Sequence, residues 1–294
     1  MAEKDKVQKT LESYNDVFAD IVNVLLFKGK KIVNENDLTD VQTFSYYKMD
    51  GKKLHGQERD VAKIWNNGEI RISFIGLENQ MKPDKFMPLR VIGYDGAAYR
   101  NQLNEKVVGK CYPVITLVLY FGTKRRWTKN KSLKEIMNIP PELDSFVHDY
   151  KINVFELAWL TDEQINSFTS DFRYVAILLR RLRTKEIFPI SNTKYQHARE
   201  IIDLFRVMSH NNREIREILE EIDDEKSKSG GTYMTEKEMD NMINRFEMRG
   251  EKRKAIEIAK NLFMNGVSLE LISKSTNMTM DEVQEIVKDV PVMA

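Results

Sequence analysis

The chain has 294 residues and carries 46 Lys and Arg against 45 Asp and Glu, a formal charge of +1. That balance excludes a polyanion binder working by bulk charge and leaves a local basic surface as the route to nucleic acid. The single cysteine, Cys111, excludes a disulfide framework and a thiolate zinc site, and no apolar run approaches the ~20 residues of a membrane span.

The opening MAEKDKVQKT lacks the apolar core of a signal peptide, so a cytoplasmic protein is expected. Residues 14–27, YNDVFADIVNVLLF, place Val17, Phe18, Ile21, Val24 and Leu25 on one helical stripe. Asp16, Asp20 and Asn23 fall on another. After a polar stretch, RDVAKIW and EIRISFIGLENQ flank Asn66-Asn67-Gly68, a turn signal, and predict a β-hairpin. Pro88 opens a predicted helix, PLRVIGYDGAAYRNQL. Residues 113–122, PVITLVLYFG, carry apolar side chains on both parities, the pattern of a strand buried on both faces.

The basic-aromatic turn TKRRW follows, then capping-box spacing at Ser132–Glu135 that predicts a short helix. INVFELAWL, residues 152–160, reads as a strand, and Thr161–Gln164 is a second capping box. From there the pattern is helical. DDEKSKSGGTY, residues 223–233, reads as a linker ahead of a third box at Thr235–Glu238. The predicted organisation is an α/β core over 1–160, a helical extension over 161–222, the linker, and a small helical tail over 234–294. The class is α/β, a mixed sheet flanked by helices with a helical C-terminal region.

Chemistry concentrates around the hairpin. Glu78 and Gln80, two apart, share one face of the second strand, and Asp60 starts the first. Brought together, Asp60 and Glu78 would offer two carboxylates to a hard cation such as Mg²⁺, which activates water and neutralises charge on a phosphodiester. A tight turn would set Asp60 opposite residue 74, so a longer turn, a bulge or strong twist must close the gap to Glu78. Taken alone, such a pair is more often two solvated charges at strand ends.

The order Asp60, then Glu78-Asn79-Gln80, then MPLRVIGYDGAAYRNQL, then LYFGTKRRW resembles the Rpn family of recombination-promoting nucleases, within the PD-(D/E)XK nuclease superfamily. FADIVNVLLFKGK and GVSLELISKSTNMTMDEV also look like family segments. The resemblance implies a PD-(D/E)XK fold, a Mg²⁺-dependent DNA endonuclease, and Asp60 and Glu78 as metal ligands. Asp20 would be the acid of the first core helix, ahead of Asp16. Gln80 stands where the superfamily has lysine; a neutral amide orients water but supplies no positive charge. Gln102, with Tyr99 a turn away, is a further candidate to face the site.

Lys124, Arg125, Arg126 and Trp127 suit phosphate contact and base stacking, or a solvated turn with Trp127 docked on the core. Arg180, Arg181, Arg183 and Lys185 end an apolar helix, where cations suit the dipole. Residues 251–288 have helix-turn-helix spacing, with a fourth box at Thr279–Glu282. Nine Lys and Arg against eleven Asp and Glu over 234–294 favour docking or oligomerisation there rather than DNA reading. The four histidines show no paired metal spacing, and no Gly-rich phosphate loop appears. DNA is the expected partner, with no membrane contact and homo-oligomerisation left open. Two other readings stand beside the endonuclease: a non-catalytic nuclease-fold module that binds DNA or protein, and a helix-turn-helix transcription regulator.

Overall fold

A computed structural model describes residues 11–41, 44–48, 54–58, 61–65, 70–75, 82–104, 111–184, 195–210, 213–228, 235–288 and 290–291. Its centre is a five-stranded mixed sheet. Strand β1 (Leu38–Asp40) lies on one edge. Two strands, β2 (Phe44–Lys48) and β3 (Leu54–Glu58), pair with each other outside that sheet. Strand β4 (Val61–Trp65) runs antiparallel to β1 and to β5 (Ile70–Ile75). The last two, β6 (Val114–Tyr120) and β7 (Asn153–Glu156), continue in parallel with β5.

Period-two alternation sorts the strand side chains onto two layers. Val61, Ile72, Leu117 and Leu119 face helices α1 (Asn15–Phe27) and α4 (Phe172–Thr184) in the main core. Val118 and Tyr120 face the other way, onto Met87, Val91 and Tyr94 of α2 (Met87–Asn104), the crossover from β5 to β6. So β6 is buried on both faces, as its sequence predicts. On the main-core side Lys63 is fully buried; its ammonium reaches Asp40, its register partner on β1, and lies 5.7 Å from the Phe18 ring centroid. A buried ammonium needs such a counter-charge to stay in the core.

Helices α3 (Asp162–Ser167), α5 (Ala198–Ser209), α6 (Arg213–Lys228) and α7 (Thr235–Met264) thicken the main-core side. The capping box at Thr161 forms on α3, and the one at Thr279 forms at the end of the chain. Three expectations need correction. The strand over 152–160 stops at Glu156 and becomes a 3₁₀ turn, Leu157–Trp159, which sets both Leu157 and Ala158 into the main core. The helix at Ser132 is one 3₁₀ turn, Lys134–Ile136, with Glu135 accepting from Lys131 N instead. Residues 223–228 of the linker continue α6, and the rest of it, 229–233, lies outside the described residues.

The tail is not separate from its first residue either. Met239, Met242, Ile243 and Phe246 of α7 belong to the main core. A second cluster, Ala259, Ile272, Met278, Val283 and Val287, joins the far end of α7 to α8 (Leu269–Thr276) and α9 (Met280–Val287). Asn277, in the left-handed region, starts the short turn between them. Asp281, Glu282 and Glu285 are exposed on α9, the face a groove-reading helix would turn to phosphates. Among the described residues no helix is long and apolar enough to cross a membrane.

Candidate functional site

Register fixes one end of the sheet. Val61 pairs with Phe74 and Trp65 with Ile70, so a four-residue connection, 66–69, replaces the tight turn. The chain therefore enters β4 where it leaves β5, and β6 and β7 finish at that same end through Ile75↔Val118 and Tyr120↔Glu156. In sequence, Asp60 immediately precedes Val61 and Glu78 follows Ile75 by three residues. Asp60, Glu78 and Gln80 lie outside the described residues.

The basic turn leaves β6 at this end and is held by backbone and core partners. Tyr120 folds back over Gly122, where a Cβ would overlap its hydroxyl, and donates to Arg125 O at 2.6 Å. Burial, and then the charge of Glu156, push the Tyr120 hydroxyl pKa above its ordinary value. Trp127 N donates to Glu156 Oε1 at 2.7 Å, and the other oxygen of Glu156 is 3.2 Å from Arg126. Lys124, Arg125 and Arg126 are exposed, as phosphate contact requires. Trp127 is fully buried and packs edge-on against Tyr120, so its stacking role is corrected to that of a core anchor.

Four more predicted residues serve the scaffold. Asp20 is 7% exposed, and its oxygens accept from Thr169 N at 2.9 Å, Thr169 Oγ1 at 3.2 Å and Ser170 N at 2.7 Å. It anchors the loop that leads into α4, on one wall of a cleft of about 360 Å³ shared with Asp16, Lys31 and Gln196. Asp16 meets His197 Nε2 at 3.1 Å. Gln102 exchanges two 3.0 Å hydrogen bonds with the backbone of Tyr112, and the Tyr99 hydroxyl accepts from Val114 N at 3.1 Å. Both pin α2 to the start of β6, the opposite end of the sheet.

The sequence reading missed Trp159, hidden inside a presumed strand, and Arg183, assigned to a helix dipole. The Trp159 ring is parallel to Tyr120 at 6.1 Å, and both Arg126 and Arg183 lie against it. Of the neighbours of Arg183, Arg180 pairs with Asp162 and Arg181 bonds Glu247 at 2.9 Å.

A family model described as "Putative transposase, YhgA-like" matches residues 64–215, just over half of the chain. The matched stretch contains Glu78, Gln80 and the basic turn, and begins four residues after Asp60. No curated protein and no solved structure matches this chain.

Proposed function

Because this chain belongs to the YhgA-like transposase family, we propose that it is a Mg²⁺-dependent DNA endonuclease of PD-(D/E)XK type, acting in recombination or the movement of mobile elements. One observation carries the reading: the strands that Asp60 precedes and Glu78 follows begin and end at the same end of the sheet, and the exposed basic turn leaves β6 there.

Among the described residues no group of three or more His, Cys, Asp or Glu side chains could hold a metal. The hard carboxylate oxygens of Asp60 and Glu78 suit Mg²⁺ by their chemistry, which tolerates few protein ligands and keeps several waters. When bound, the ion supplies a Lewis acid for the phosphodiester and a more acidic water. Asp60 and Glu78 would hold it. Gln80 orients the attacking water or the phosphate through its amide, without adding charge. Lys124, Arg125 and Arg126 grip the backbone and set its register. Asp20 is left out, since its carboxylate already anchors the loop at Thr169.

Plasmid nicking tests this reading. Asp60→Ala and Glu78→Ala should each abolish Mg²⁺-dependent nicking while circular dichroism and Tm stay those of the wild type. Wild-type cleavage by both variants would refute it.

A further inference from the structure

Two segments distant in sequence converge on the indole of Trp159. The turn after β6 brings Arg126, whose Cζ lies 5.9 Å from the ring centroid. The end of α4 brings Arg183, with Cζ at 5.4 Å and Nε donating to Ala158 O at 2.6 Å. Tyr120 of β6 lies parallel to the same ring. The electron-rich ring attracts both guanidiniums. The carboxylate of Glu156 pairs with Arg126 at 3.2 Å.

We propose that Arg126 and Arg183, held against Trp159, form a two-point clamp for adjacent phosphates of a nucleic-acid backbone. Planar guanidiniums fixed at a stacking surface match phosphate geometry, and their order is established before binding. Trp159 follows β7, two strand spacings from β5, so the clamp stands on the order of 10 Å from the point where β5 leaves the sheet. A strand gripped there would pass the end that Asp60 and Glu78 flank in sequence. Arg126 exchanges Glu156 for phosphate as the backbone docks. The clamp rests on the proposed action on DNA and names the residues that hold the substrate.

The test titrates full-length protein into a fluorescein-labelled DNA duplex without divalent cation, following anisotropy over a series of KCl concentrations. Arg126→Gln and Arg183→Gln should each lower the slope of log K against log salt by about 0.9, the value for one lost phosphate contact. Arg180→Gln, at a residue paired with Asp162, should leave the slope unchanged. Glu156→Gln keeps an acceptor for Trp127 N but releases Arg126, and should tighten binding. Arg183→Lys should restore the slope, which a purely structural role would not require. Trp159 emission should shift on adding duplex, and Trp159→Phe should remove that shift without any arginine being altered.

A wild-type slope for Arg183→Gln, or emission unmoved by DNA, overturns the clamp. A wild type that binds duplex through both arginines but never cuts it with Mg²⁺ leaves the clamp standing and refutes the nuclease. A wild type that binds no DNA refutes both.

Discussion

The end of the sheet and the seam between α6 and α7 use arginine in opposite ways. Along the seam, Arg245 reaches Glu221 and Glu225, Arg249 meets Glu217 at 2.8 Å and Glu221 at 2.5 Å, and Arg253 meets Glu214 at 2.5 Å. Four carboxylates meet three guanidiniums, and the ladder is closed. At the sheet end, Lys124, Arg125 and Arg126 stay exposed, and Glu156 pairs with Arg126. A chain with a formal charge of +1 thus separates a neutralised surface from a cationic one. Net charge describes neither; the acid partners along each segment do.

The sharpest way to break this contrast is to remove the helical side. Ending the chain after Lys228 deletes Met239, Met242, Ile243 and Phe246 from the main core, and should leave no cooperative unfolding transition in calorimetry. Phe246→Ala alone should cost about 3–5 kcal/mol in a denaturant titration, as large aromatic truncations do. Ending the chain at Asn265 removes only α8 and α9 and should preserve the transition. If the Lys228 truncation melts like the intact chain, the helical side is an appendage after all.

The next effect is at the sheet end. Gln80→Leu should lose most Mg²⁺-dependent nicking, by about 10² in rate if the amide orients a reacting group. Gln80→Lys should retain or raise it, since an ammonium there would stabilise developing negative charge. Equal rates for leucine and glutamine would take position 80 out of the chemistry.

Smaller effects sharpen the account of the seam. Arg249→Ala should lower the Tm by about 2–4 °C at low salt and by less in ~0.5 M NaCl, because half-exposed ion pairs are screened. The hydrogen bonds from Arg213 and Arg249 hold the Glu217 carboxyl below its usual range, so its share of stability is present above its ordinary pKa of 4.5 and lost as pH falls through the depressed value. An unchanged salt response in Arg249→Ala would mean that the ladder is ornamental.

The smallest effect concerns Tyr195, whose hydroxyl is pushed above its ordinary 10.0 by burial and by its hydrogen bond to Asp240 on α7. The unfolded chain gives up that proton first, so stability is full below pH about 10 and falls as pH rises beyond it. Tyr195→Phe should flatten the Tm loss between pH about 10 and about 12. An undiminished loss would assign it to other groups.

What was legible in the sequence follows from how local the cause is. Helix α1, the β4–β5 pair, α2 and β6 each carry their own periodicity, and each formed where it was expected. Strands β1 to β3 sit in a polar stretch, where pairing partners rather than pattern decide. Helix α7 runs unbroken through Gly250, although glycine in a helix costs about 1 kcal/mol relative to alanine; contacts with α5 and α6 outweigh that local preference. The polar residues 223–228 read as linker because their helix turns charge toward solvent and toward α7. At the site, exposure of the basic turn was legible and the fate of Trp127 was not, since an aromatic beside cations suits a core and a stacking surface equally. Arg183 and Trp159 are 24 residues apart and Arg126 is farther still; no spacing rule announces a meeting made by the fold.

Helix α7 has a consequence of another kind. Phe246 is in the main core and Ala259, 13 positions on, is in the terminal cluster, and the helix between them is uninterrupted. At 1.5 Å per residue, the helix works as a strut that holds the terminal cluster about 20 Å out from the core. A strut of this kind also keeps phase. One residue inserted between Met248 and Lys254 would swing the tip by about 100°, whereas seven would restore its heading about 10 Å farther out. The length of this segment is therefore a setting with angular teeth, and insertions there should be tolerated in steps of whole turns.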